Sequence, residues 1–501
     1  MLQKIVQFAK KPNPIYYGVF NDLMKKTNVS YLTKLFLQEE ERDYIKDLVI
    51  QVESIKRNTQ IVISDSVVLE VANTCLETIY HILESIIYTE YASFIRRGIL
   101  NKDSKLITVA RLIIKNRSLL RQKYPHLNGA VKNEIYKNKC HVLNLITTLY
   151  SNKESLCKLN VPLINGAFVI EKVLFVGDPH QTKARGAILT INGFKIVYKP
   201  RDLSPEEFLN KIASKYNIGT AKTICNKNEG FQEYIKQTQY KYCELNFQIG
   251  RVMALAYILM LKDLHCNNLV FQNDKLFVID AECLFSVRID PFTLELYSDN
   301  SIFDYLIIPF YDRYKNFNTQ KYSILRKLLD SIDKPDINKI RAEVKSSVLD
   351  SFMMIVSTKA ELSNELKKHK VKKIRILFRS TNFYYNLLKD LTHPRLQMMS
   401  KFSIIRYLYT KLGIGKVYRK IIKLEIKYLL NGCFPYFCYS FKNEYITDGY
   451  GNKIKKTSSS EIINIIASNI HNLNKDAIET YIDIFDMFFD IEEQNTGMQH
   501  A

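Results

Sequence analysis

Tryptophan is absent from the 501 residues, and no apolar stretch approaches the length of a membrane span. About 20 uninterrupted apolar residues are needed to cross a bilayer; the best run here, Val252 to Leu261, is about half of that. The first residues, MLQKIVQFAKKPNP, lack the apolar core and small-residue cleavage site of a secretory signal, so a cytoplasmic location is expected. The nine cysteines follow no regular spacing, which argues against a disulfide framework. Cys433 and Cys438 lie closest, but CFPYFC does not match the ligand spacing of a zinc site. Internal repeats and long low-complexity linkers are also missing.

What the chain does have is positive charge. Lys and Arg outnumber Asp and Glu by 72 to 51, giving a formal net charge of +21 and a field that favours an anionic partner. A nucleotide, a nucleic acid and an acidic peptide all satisfy that condition. The length allows about three domains at roughly 100–200 residues each.

Residues 1–164 read as a helical region, with Val68, Val71, Cys75, Ile79 and Ile82 at spacings of three and four. The period changes near residue 165. VIEKVLFVGDPH predicts a strand entering a turn, and AILTINGFKIVYKPR predicts a hairpin about Asn192-Gly193, a pair suited to a type I′ turn. Ser204-Pro205-Glu206-Glu207 then opens a helix, with a capping residue, a first-turn proline and acids at its positive end. FQIGRVMALAYILML predicts a buried helix ending before Asp263, and NLVF and KLFVID predict two short strands about Gln272-Asn273-Asp274. From residue 301 the chain reads as mainly helical again. The fold class expected is α+β: a catalytic core over 165–300 between helical regions 1–164 and 301–501.

The stretch KDLHCNNLVFQNDKLFVIDAE carries Asp263, His265, Asn268 and Asp280 at the edges of apolar runs. Phosphoryl transfer from ATP needs a cation on the phosphates, a carboxylate near the attacking hydroxyl, and an amide and second carboxylate for Mg²⁺. Lys199 ends a hairpin strand, Asp263 precedes Asn268 by five positions, and Asp280 follows a later strand. This is the order of parts in protein kinases, although G-x-G-x-x-G is absent. GDPHQTKARG stands in its place, where His180, Lys183 and Arg185 are candidates for phosphate contact. Taken singly, Asp263 is also a fair helix-end cap, and Asn268 and Asp280 are fair turn residues.

VGDPH, VYKPR, KDLHCNNL and VIDAE, in this order, resemble the dehydratase domain of the class II lanthipeptide synthetases, the LanM type. KIRILFRSTNFYYNLLKDLTHPRL resembles that family's arginine-then-threonine elimination segment, and NGCFPYF its I-P-Y-F block. The resemblance spans about residues 170–440. It implies a bilobal core like those of lipid and protein kinases, which phosphorylates Ser and Thr of a ribosomally made precursor peptide and then eliminates phosphate to give dehydroalanine or dehydrobutyrine. ATP and Mg²⁺ are the cofactors implied; zinc is not expected. By matching motif, Asp178 and His180 belong to the phosphate-side turn and Lys199 holds the phosphates. Asp263 and His265 serve the hydroxyl, Asn268 and Asp280 bind Mg²⁺, and Arg375 and Thr381 serve the elimination.

Two departures stand out. Pro179 occupies the place of a small hydroxyl residue, and no Cys-Cys-His ligand set of the family's cyclase domain occurs here. A stand-alone dehydratase is therefore expected, with a precursor peptide bearing an acidic leader as partner and a separate LanC-like cyclase and an exporter as further ones. The rival expectations are a Ser/Thr peptide kinase without elimination and, from another class, a basic nucleic-acid-binding protein whose Tyr and Phe stack bases.

Overall fold

The computed structural model describes residues 61–101, 112, 117–177, 185–226, 228–238, 242–289, 336–413 and 419–474, with shorter pieces at 296–297, 311–312, 317–318 and between 476 and 490. Asp178, His180 and Lys183 lie outside the described residues. The chain is mixed α and β and divides into two units, residues 1–200 with 379–435 and residues 201–378 with 436–501.

In the first unit, Phe168–Val176 pairs in parallel with Ile61–Ile63 and antiparallel with Gly186–Ile191, which continues into Phe194–Lys199. Alternation puts Ala187, Leu189 and Ile191 on the buried face, each with no exposed area. The turn between the last two strands has φ of 49° at Asn192 and 78° at Gly193, the left-handed pair expected of a type I′ hairpin. Asn192 is also fixed by its side chain, which donates to the carbonyls of Pro162 and Ala167 and accepts from the Val169 amide. Helices Asp65–Arg96 and Leu127–Ser151 pack through Ile79, Leu83, Ile86, Val131 and Ile135. The segment 379–435 adds helices Thr381–Thr392, Lys401–Leu412 and Arg419–Leu430, joined by a core that includes Tyr384, Leu408, Ile422 and Leu429.

The second unit opens with helix Ser204–Lys215. The sequence makes Ser204 its cap, but the capping work falls to Asp202, whose carboxylate accepts from the amide and hydroxyl of Ser204. The apolar helix Tyr242–Leu259 is buried as expected and packs against Ile337–Ser357. They approach at Gly250, where an added Cβ would lie 2.5 Å from the Ser347 hydroxyl and 2.7 Å from the Val348 amide nitrogen. Ser347 itself donates to the Phe247 carbonyl at 2.6 Å, so its hydroxyl is satisfied within the crossing. The strands Leu269–Gln272 and Lys275–Val278 form the expected hairpin, with Asn273 and Asp274 at φ of 47° and 64°.

A four-stranded antiparallel sheet, in the order Lys373–Ile376, Phe437–Ser440, Tyr445–Asp448, Lys453–Lys456, was not among the elements expected from the sequence. Its first strand is short and sits in a run of lysines, and its partner lies some sixty residues away, beyond the segment that belongs to the first unit. Among the described residues no helix is long and apolar enough to cross a membrane.

Candidate active site

The site in the second unit starts where the buried helix ends. After Leu259 the chain turns sharply: Met260 has φ of 49° and Asp263 has φ of 66°, conformations that cost a side-chain-bearing residue and persist only where surroundings enforce them. The enforcement comes from segment 283–286. The Lys262 amide donates to Cys283, the Phe285 amide to Leu259, and the Ser286 amide to Met260, at 3.2, 3.1 and 2.9 Å. Asp263 is thereby held beside the residues that follow Asp280.

The loop then closes on itself. The Asn268 side-chain amide donates to the Asp263 carbonyl at 2.8 Å, and its backbone amide to the His265 carbonyl at 2.8 Å. The Asn268 carbonyl accepts from the Ile279 amide at 2.9 Å, which sets it next to Asp280. His265 Nε2 is 3.9 Å from Asp263 Oδ1, and both side chains are about a quarter exposed, at 26% and 25%. A carboxylate and an imidazole are thus partly exposed on one closed loop, with the Asn268 amide bracing it.

Arg375 joins them from 95 residues beyond Asp280 in the chain, carried by the strand Lys373–Ile376. Its amide donates to the Glu282 carbonyl at 2.7 Å, and its guanidinium ion-pairs with the Glu282 carboxylate. The guanidinium also lies 5.7 Å from the centre of the Tyr436 ring. Burial by itself would lower the Arg375 pKa; the negative charges that face it, Glu282 first, outweigh it and hold the group well above its usual range. Cys283 is buried and its thiol is pushed well above its ordinary pKa, first by burial and then by Asp263, so it stands as a neutral neighbour.

The sequence reading missed Arg201, Glu206 and Glu282, although Arg201 and Glu282 stand inside the motifs VYKPR and VIDAE. Arg201 is the hub. Its guanidinium pairs with Glu206 through both terminal nitrogens, with Asp280 Oδ1, and through Nε with Glu282 at 3.2 Å. Desolvation opposes its charge, and the three carboxylates overcome that and raise its pKa well above normal. Glu206, read from the sequence as a helix-dipole acid, is 1% exposed and serves this pairing.

The remaining sequence candidates belong to the first unit. Lys199 is the last residue of strand Phe194–Lys199. Thr381 is the first residue of helix Thr381–Thr392, whose cap is Ser380. Arg185 donates to the Gly177 carbonyl at 3.0 and 3.3 Å. Nearby, Arg379 and Tyr384 both donate to the buried Glu425 carboxylate, at 2.8 and 2.6 Å, which fixes the segment on which Thr381 sits.

Asp280 and Asn268 are the residues here that could hold a magnesium ion. Mg²⁺ takes one or two carboxylates, keeps water and shares substrate phosphates, whereas an all-protein cage is unusual for it. Asp280 and Asn268 offer one carboxylate and one amide, and Arg201 already sets a positive charge against Asp280. Among the described residues no group of three or more His, Cys, Asp or Glu side chains is arranged to hold an ion, so a closed structural metal site is not in view.

Residues 124–340 match a family model described as a domain of unknown function, DUF4135. The chain is also similar to the lacticin 481/lactococcin biosynthesis protein LcnDR2 of Lactococcus lactis subsp. lactis, at 27% identity over 189 residues. That match covers 34% of this chain and 20% of the relative, so the similarity spans about a fifth of the relative's length. Both findings bear out the resemblance to the LanM-type lanthipeptide synthetases that the motifs carry.

Proposed function

We propose that this protein is a LanM-type dehydratase with a kinase-like bilobal core, acting on Ser and Thr of a ribosomally made precursor peptide. The observation that carries the reading is the tie between Arg375 and Glu282, two residues past Asp280. It brings the residue expected to serve elimination to the residues expected to serve phosphorylation.

In this reading Asp263 accepts or orients the proton of the attacking hydroxyl, with His265 beside it. Asn268 and Asp280 hold Mg²⁺, and Lys199 holds ATP phosphates; bound together, ATP and Mg²⁺ supply the phosphoryl group and neutralise charge on its oxygens. Asp178 and His180 belong to the turn on the phosphate side. In the second reaction a base of the site takes the α-proton, the Cα–H electrons form the Cα=Cβ double bond, the Cβ–O bond breaks, and phosphate departs with its bonding electrons. Arg375, fixed and largely dry, is suited to stabilise that leaving charge, and the Thr381 hydroxyl to orient the phosphate.

The similarity to a lanthipeptide biosynthesis protein supports a precursor peptide as substrate. The +21 charge suits an acidic leader, whose capture electrostatics would speed. A separate cyclase and an exporter are the further partners of this reading.

The test is mass spectrometry of a Ser/Thr-rich precursor peptide after incubation with ATP and Mg²⁺. Wild type should remove water, 18 Da per site, while Arg375→Ala should accumulate phosphopeptide with elimination slowed about 100-fold or more. Phosphopeptide from the wild type would reduce the protein to a kinase. Intact ATP and unmodified peptide would sink the reading altogether.

A further inference from the structure

The block NGCFPYF, which the proposed reactions leave without a role, ends beside Arg375. In the sheet Arg375 lies opposite Cys438, and Tyr436 stands two residues before that cysteine. Residues two apart share a face, so the register sets the Tyr436 ring diagonally beside the arginine. The guanidinium carbon lies over that ring, 5.7 Å from its centre. The Tyr436 backbone is pinned from the other side of its strand, where its carbonyl accepts from the Gly449 amide at 2.9 Å.

The guanidinium of Arg375 needs this second support. Among the described residues its side chain makes one hydrogen bond, from Nη1 to the Glu282 carboxylate, although the residue is only 5% exposed. A single hydrogen bond lets the guanidinium plane swing about it. Buried donors are ordinarily satisfied, so the ones not spent on Glu282 mark a place for a ligand. An aromatic face attracts the cation without using its in-plane N–H groups, and thus fixes the plane while leaving the fork available. The ring stays neutral in this place: burial first, and then the charge of Glu282, push the Tyr436 phenol well above its ordinary pKa.

We propose that Tyr436 is a positioning residue for the elimination: its ring holds the Arg375 guanidinium in one plane, so that the donors not spent on Glu282 face the departing phosphate. This inference rests on the proposed function. A ring that only filled space would have a different signature, because any ring of the same shape would replace it whatever its electrons.

The experiment follows elimination from a synthetic phosphoserine form of the precursor peptide by mass spectrometry, with the full chain, ADP and Mg²⁺. Three replacements are compared: Tyr436→Phe, Tyr436→Leu, and Tyr436 exchanged for pentafluorophenylalanine, which keeps the ring but withdraws the π electrons that attract a cation. Tyr436→Phe should eliminate phosphate at close to the wild-type rate. The pentafluoro ring and Tyr436→Leu should be about tenfold slower, since a cation over a desolvated ring loses its attraction there. In the complete reaction with ATP the same two should raise the ratio of phosphopeptide to dehydrated peptide, the direction expected of Arg375→Ala.

Circular dichroism establishes that the variants fold, and the pentafluoro ring carries the comparison where Tyr436→Leu does not. Equal rates for the phenyl and pentafluorophenyl rings overturn the inference, whether both are fast, which makes the role one of shape, or both slow, which moves it to the hydroxyl; either leaves the proposed function standing. Loss of fold with the pentafluoro ring assigns Tyr436 to structure alone and overturns it as well. A wild type that leaves the phosphoserine intact removes the elimination, and with it both the inference and that half of the proposed function.

Discussion

Arg375 meets Glu282 twice, backbone amide to carbonyl at 2.7 Å and guanidinium to carboxylate, so one residue of a sheet strand is tied to the loop after Asp280 by main chain and side chain together. Breaking a buried ion pair by removing one partner leaves a charge without compensation. Glu282→Ala strands Arg375 and takes one of three carboxylates from Arg201. It should cost about 3 kcal/mol of stability, read from the shift in the urea unfolding midpoint. A loss below about 1 kcal/mol would mean that the pair behaves as an exposed one.

Asp263 holds its loop through its backbone carbonyl, which accepts from the Asn268 side chain, so replacing its carboxylate should separate chemistry from stability. Asp263→Asn is expected to lower the rate of peptide phosphorylation by about 10²–10⁴-fold. The melting temperature should stay near that of wild type. Single-turnover kinetics with ATP and the precursor peptide check the first expectation and scanning calorimetry the second; a variant that phosphorylates at the wild-type rate removes Asp263 from the reaction.

The helix crossing at Gly250 has no room for a side chain. Gly250→Ala puts a methyl group 2.5 Å from the Ser347 hydroxyl and 2.7 Å from backbone, and backbone does not yield cheaply. Overpacking of this kind costs about 1–3 kcal/mol. Gly129→Ala, on a helix where an added Cβ meets nothing within 4 Å, is the control and should be neutral or slightly stabilising. Equal denaturation midpoints for the two variants would refute the crossing.

His141 carries a pH dependence with a definite sign. It is 3% exposed, both ring nitrogens lack a hydrogen-bond partner, and burial first, then Arg185 and Lys137, push its pKa down to about 3. Below pH about 6.5 the unfolded chain binds a proton there that the folded chain refuses. Its contribution is therefore complete above pH about 6.5 and falls by about 1.4 kcal/mol per pH unit as the pH drops toward the folded value. His141→Phe should flatten that part of the stability profile, measured by urea unfolding between pH 4 and 7. An unchanged slope would mean that the imidazole finds a proton partner in the folded state.

Local patterns were legible wherever a short stretch determines its own geometry. Asn192-Gly193 adopts left-handed backbone because those residues tolerate it best, and the apolar run after Tyr242 forms the buried helix its composition requires. The hairpin ending near Asp280 follows from alternating burial and a turn of Asn and Asp. These features set where the three residues stand along the chain: Asp263 after the buried helix, Asn268 before the hairpin and Asp280 after its second strand.

The pairing of charges was not legible. Arg201 reads as one more cation after a strand, Glu206 as a helix-start acid and Glu282 as the last letter of VIDAE; their partners lie as much as 93 residues away. The sheet that carries Arg375 was hidden for the same reason, since its strands are four residues each and the first is ringed by lysines that in isolation look solvated. The sequence by itself determined which chemical groups the protein has, the turns and helices that present them, and the charge that suits an anionic partner. Only the tertiary structure decided which carboxylates are paired with which arginine, because burial and long-range ion pairing arise between elements that no local window contains.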